Sequence, residues 1–139
     1  MFIITIDNRS FFQELKYKDA PLYVYDGVCG LCYWWIKKSE KITKNKANYS
    51  PYQEVYSKFP DIPKEDFKKA VKLIYPNGKT YSAAEATLLT VSLGKGLFLR
   101  IPYTIYKNSS LFRFISEKCY RVVASHRDSF FKLVKFFEG

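Results

Sequence analysis

Two cysteines three positions apart, Cys29 and Cys32, are the residues of this chain best suited to covalent chemistry. The thiolate, not the thiol, attacks sulfur, and a free cysteine with a pKa of about 8.5 is mostly protonated near neutrality. A helix N-terminus favours the thiolate, because its first N–H groups lack intrahelical partners and carry partial positive charge. The sequence places Cys29 at such a start, directly after a strand, with Cys32 one turn later on the same side. Cys29 is therefore the expected nucleophile, and Cys32 the thiol that resolves a mixed disulfide. Asp26, three residues upstream of Cys29, has two readings. It either accepts and returns a proton during exchange, or it caps the turn that holds the helix start. Both stay open on sequence grounds.

Other readings of the cysteines compete. A structural metal knuckle needs four nitrogen or sulfur ligands. Only Cys119 and His126 remain to complete one, at a spacing with no familiar pattern, so neither a metal nor a cofactor is expected. An inert buried pair is the second alternative. Gly27 and Gly30, on either side of Cys29, argue instead for open access to its backbone. Cys119 falls in the middle of an apolar stripe and is expected to be a core thiol. His126 is expected at the surface or near a helix cap.

These residues need elements to position them. Residues 2–6 suggest a short strand and 10–16 a short helix, broken at Asp19-Ala20-Pro21. Residues 22–25, an apolar and aromatic run, predict a buried strand. Asp26-Gly27-Val28 then turns the chain, and Cys29 opens a helix to about Thr43, with Trp34, Trp35 and Ile36 inside it and lysines outside. Residues 47–52 predict a second strand, 65–68 a helical turn or two, and 71–75 a third strand. Pro76-Asn77-Gly78-Lys79 signals a tight hairpin, since Asn-Gly tolerates positive φ, and Thr80 and Tyr81 return antiparallel. Ser82-Ala83-Ala84-Glu85 reads as a capping box before a buried helix over 83–93 that Gly94 ends. Further helices follow. Over 111–124 the expected inward face is Leu111, Phe112, Ile115, Cys119, Val122 and Val123, with Arg113, Glu117 and Arg121 as a polar row. A last helix carries Phe130, Phe131, Phe136 and Phe137.

Strand, dithiol helix, strand, short helix, hairpin, helix is the order of a glutaredoxin-like core, in which a helical crossover joins parallel strands and the hairpin adds an antiparallel pair. The run Tyr25-Asp26-Gly27-Val28-Cys29-Gly30-Leu31-Cys32 also resembles the D-G-x-C-x-x-C signature of the DCC family of thiol–disulfide oxidoreductases. Tyr49-Ser50-Pro51-Tyr52-Gln53 is similar to that family's second strand with its Pro-x-Gln ending. Ser82-Ala83-Ala84-Glu85-Ala86 occupies the place of its small-residue helix start, and Tyr120-Arg121-Val122-Val123-Ala124-Ser125-His126-Arg127 resembles its Y-R-x-x-A-x-N-R tail. His126 stands where the family usually has Asn. The resemblance spans about residues 22–137. It implies an α/β fold with a thioredoxin-like core, a mixed sheet with helices on both faces, and added C-terminal helices. The expected organisation is one domain over 1–139, with an N-terminal extension at 1–20, a redox core at 22–93 and a helical addition at 96–137.

Length and composition bound the function. At 139 residues a single core of ordinary size is feasible, and 47% apolar with 19% aromatic residues argues against overall disorder. A mean hydropathy of −0.23, with no apolar run of the roughly 18 residues needed to span a bilayer, argues against an integral membrane protein. Residues 1–6 are too short for a signal peptide and meet Asp7 at once, so a cytoplasmic protein is expected. The net charge is +10, and from Ala86 onward nine basic residues face three acids. Such a field attracts anionic lipid, acidic proteins or nucleic acid, but no nucleic-acid recognition motif is visible and no such partner is expected. Two functions remain. In the first, an oxidoreductase acts on a disulfide-containing protein or small molecule and is recycled by an unspecified reductant. In the second, a thioredoxin-like module docks its basic, aromatic C-terminal helices on a membrane surface or acidic partner. The Phe-rich face is expected mainly to cover the sheet and the two tryptophans, which makes peripheral membrane contact the sharper alternative.

Overall fold

A computed structural model describes Phe12, residues 14–18 and residues 20–138. The expected strand at 2–6 and all but Phe12 of the start of the helix at 10–16 lie outside these residues. Phe12 is helical, and 14–18 form turns and bends. Asn48 ties them down: its side-chain oxygen accepts the Tyr17 N–H at 3.0 Å and its amide donates to Tyr17 O at 2.8 Å.

The chain runs β1 (Leu22–Tyr25), α1 (Gly30–Thr43), β2 (Asn48–Pro51), α2 (Tyr52–Val55), α3 (Lys64–Lys69), β3 (Lys72–Ile74), β4 (Thr80–Ser82), α4 (Ala83–Ser92), α5 (Ile101–Asn108), α6 (Ser110–Ser125) and α7 (Arg127–Glu138). The sheet order is β2-β1-β3-β4, with β1 parallel to β2 and antiparallel to β3, and β3 antiparallel to β4. This is the mixed sheet with helices on both faces that the order of elements implied.

Strand alternation sorts the core into two layers. Leu22 and Val24 point to one face, with Ile74, Tyr52, Val55, Phe59 and Phe67. Tyr23 points to the other, with Leu73, Ile36, Val71 and Ala86, and Trp35 and Tyr120 pack against that group. In α1 the buried side is Ile36, Ser39 and Thr43, one helical stripe, while Lys37, Lys38 and Lys41 stay wet. β2 stops one residue earlier than expected. Pro51, at φ −69°, has no N–H to continue a ladder and instead caps α2.

Two expectations fail at the C-terminal helices, for one reason. α4 starts after Ser82, but no side-chain cap bond forms there and Ala83 adopts φ +56°. Its N–H donates to Val71 O at 3.0 Å, which holds this left-handed residue. The Ser82 hydroxyl accepts from the Lys72 ammonium, and the Glu85 carboxylate from the Tyr103 hydroxyl. The capping box is therefore replaced by a cap from a distant helix: Glu117 Oε1 accepts the Ala84 N–H at 2.9 Å, and its Oε2 the Tyr106 hydroxyl at 2.9 Å. Glu117→Ala should thus cost about 1–2 kcal/mol in chemical denaturation, and Ser82→Ala less. The reverse order would restore the local cap.

Turning Glu117 inward rotates α6 away from the expected face. Phe112, Ser116, Glu117, Tyr120 and Val123 are half-buried, while Leu111, Phe114, Ile115, Cys119 and Val122 are exposed. Cys119 is not a core thiol. On α7, Phe130 and Phe131 are half-buried but Leu133, Phe136 and Phe137 are exposed, so the Phe-rich helix covers the core with only part of its apolar surface.

Candidate active site

The dithiol sits where β1 hands over to α1. Cys29 is the N-cap of α1 in an extended conformation, and its Sγ accepts the Cys32 N–H at 3.2 Å. A sulfur here does what a capping Ser or Asp oxygen does elsewhere, which places the thiol among the unpaired donors of the first turn. Both thiols are free. Burial, above all, pushes the Cys32 thiol up to about 12, and the neighbouring Cys29 adds to this while Arg127 opposes it.

The turn before Cys29 is fixed by a network with Asp26 at its centre. Asp26 Oδ1 accepts the Val28 N–H at 3.1 Å and the Gln53 amide at 2.8 Å, and its Oδ2 accepts Arg127 at 3.2 Å. The Gln53 side-chain oxygen accepts the Gly27 N–H at 3.0 Å. The Arg127–Asp26 ion pair is well covered, with side chains 20% and 17% exposed. Gly27 is required by close approach, since a Cβ there would lie 2.7 Å from Pro51 Cβ. At Gly30 a Cβ would meet the Phe131 ring of α7 at 2.5 Å, so the last helix rests directly on the first turn of α1.

The two thiols border different spaces, with Arg127 lining both. Cys29 and Val28 line a cleft of about 410 Å³ against the α6–α7 corner, where His126 ends α6 and stays exposed. Cys32 lines an apolar cavity of about 350 Å³ between the sheet, α1, α4 and α6, walled by Trp34, Trp35, Leu88 and Tyr120. The Tyr120 hydroxyl accepts the Val71 N–H at 2.9 Å, closing the start of β3. Trp35 also packs against the core group of Tyr23 and Leu73. Among the described residues no group of three or more His, Cys, Asp or Glu side chains is placed to hold a metal ion.

Asp26, Cys29 and Cys32 thus lie together. Gln53 and Arg127 belong with them, yet residue chemistry alone did not single them out. The only signals were the Pro-x-Gln ending of β2 and the terminal Arg of the tail motif. Cys119 lines the apolar cavity from an exposed position, and His126 touches the cleft but not the dithiol network.

A strand leading to an N-cap cysteine, with a second cysteine one turn on and a mixed four-stranded sheet behind, defines a thioredoxin-like dithiol protein. The family model for DCC1-like thiol-disulfide oxidoreductases matches residues 23–133, and the chain belongs to that family. Neither curated proteins nor solved structures give a match.

Proposed function

We infer that the protein exchanges thiols with a disulfide substrate through Cys29, with Cys32 as the resolving thiol. The observation that carries this reading is the Cys29 sulfur, placed at the cap of α1 and bordering the open cleft, while Cys32, half-buried like Cys29, faces the apolar cavity instead. Cys29 thiolate attacks one sulfur of the substrate. The substrate S–S bond breaks, and the departing sulfur takes a proton. Cys32, once deprotonated, attacks Cys29 Sγ, and the second substrate thiol leaves. The protein keeps a Cys29–Cys32 disulfide, having given up two electrons that an outside dithiol reductant returns.

Asp26 serves as a positioning residue. Both its carboxylate oxygens already accept hydrogen bonds, which suits holding a turn better than carrying a proton. In this reading the addition at 96–137 is part of the working domain, because it supplies Arg127 and the far wall of the cleft. Among the described residues no helix is long and apolar enough to cross a membrane.

Mass-mapped iodoacetamide labelling over a pH series tests the assignment. Cys29 should be modified well ahead of Cys32 across the neutral range, because burial keeps the Cys32 thiol protonated until about pH 12. Cys119, being exposed, should label as a surface thiol, and Cys119→Ser should remove that signal without changing the order of the other two. Cys32 reacting first would reverse the roles.

A further inference from the structure

The segment after α4 presents apolar side chains to solvent in a pattern that the redox chemistry does not use. Gly96, at φ +115°, turns the chain so that Leu97 and Phe98 stand 80% and 72% exposed. Ile101 and Ile105, one turn apart, continue on the outside of α5. Leu111, Phe114, Ile115 and Val122 form the outer stripe of α6, which begins one residue after α5 ends. Exposed single apolar residues are ordinary, but a run of eight over consecutive elements is not.

The exposed charges of the same segment have one sign. Lys95, Arg100, Lys107, Lys118 and Arg121 are exposed. Between Lys95 and Ser125 the sequence has a single acid, Glu117, and that carboxylate is turned inward to cap α4 and bind Tyr106. The Lys118 ammonium lies 5.2 Å from the Phe114 ring centre, so cation and apolar side chain are neighbours on this helix. At an interface a lysine in such a place can keep its carbon chain against apolar surface and extend its head to the polar level.

A second copy of the chain is a poor occupant, since face-to-face pairing sets these cations against each other with no exposed acid between 95 and 125 to answer them. A surface that is apolar below and anionic above matches both properties together. We propose that the outer face of residues 95–125 docks the protein on an anionic lipid bilayer, with Leu97, Phe98, Leu111 and Phe114 entering the interface and the cations at phosphate level. The dithiol reading is independent of this docking.

Sedimentation of the full chain with phosphatidylcholine vesicles, with and without phosphatidylglycerol, tests it. Binding is expected at low salt only where phosphatidylglycerol is present, and it should fall steeply at high salt. Each basic residue near such a surface is worth about fivefold in partitioning, so Lys118→Glu with Arg121→Glu should weaken binding by at least about tenfold. Phe98→Ser with Phe114→Ser, both exposed and harmless to the core, should weaken it comparably. Cys29→Ser should bind vesicles as the wild type does, which separates failure of this proposal from failure of the exchange chemistry. No binding to anionic vesicles at low salt overturns the proposal, as does binding that ignores the two Phe changes. Equally tight, Phe-insensitive binding to soluble polyglutamate would assign the face to an acidic protein. A dimer that the Phe changes dissociate would assign it to a second copy.

Discussion

Replacing Cys29 by serine is expected to reduce disulfide turnover by a factor on the order of 10³ or more, as removal of a covalent nucleophile does elsewhere. Cys32→Ser should behave differently. The first attack still proceeds, the mixed disulfide at Cys29 has no internal thiol to release it, and the substrate half stays attached as a mass adduct that an added dithiol removes. The asymmetry follows from the geometry. Cys29 is at the cap and borders the cleft, whereas Cys32 donates its N–H to Cys29 Sγ and lines the apolar cavity. A stable adduct on Cys32 in the Cys29→Ser protein would show that the order of attack is the reverse.

The second large effect belongs to Arg127. Its ion pair with Asp26 joins α7 to the turn before the dithiol, and both side chains are mostly covered. Arg127→Met leaves the Asp26 carboxylate with Gln53 and Val28 as its remaining partners, and should cost about 2 kcal/mol in denaturant unfolding. Pairing it with Asp26→Asn in a double-mutant cycle should recover much of that loss, because the second change removes the uncompensated charge. Arg127 also opposes the upward push that burial gives the Cys32 thiol, so its loss should raise the pH at which Cys32 ionises. The resolving step should slow, and mixed disulfide should accumulate in a protein that still has both cysteines. A variant with unchanged stability and unchanged resolution would reduce the ion pair to a surface contact.

Local signals carried the sequence a long way, and the point where they stop has a physical cause. β1, the dithiol helix and the Asn77-Gly78 hairpin follow from an apolar run, a turn and a positive-φ glycine, all readable over a few residues. The inward face of α6 does not follow, because apolar spacing is only one claim on a helix rotation. An unpaired Ala84 N–H and an unpaired Val71 N–H would each cost free energy on burial, and Glu117 and Tyr120 satisfy them only if α6 turns those residues inward. The apolar row centred on Ile115 and Cys119 is left outside. In the same way, Asp26 was recognisable from its place beside Cys29, but its partner Arg127 lies 101 residues away, beyond the reach of any periodicity.

That separation also has a consequence in time. A ribosome adding about 5–20 residues per second needs roughly 5–20 s to travel from Asp26 to Arg127. Throughout that interval the two sulfurs exist on a nascent chain with no guanidinium to pair Asp26 and no phenyl ring over Gly30. The dithiol turn is thus made well before the helix that packs over it.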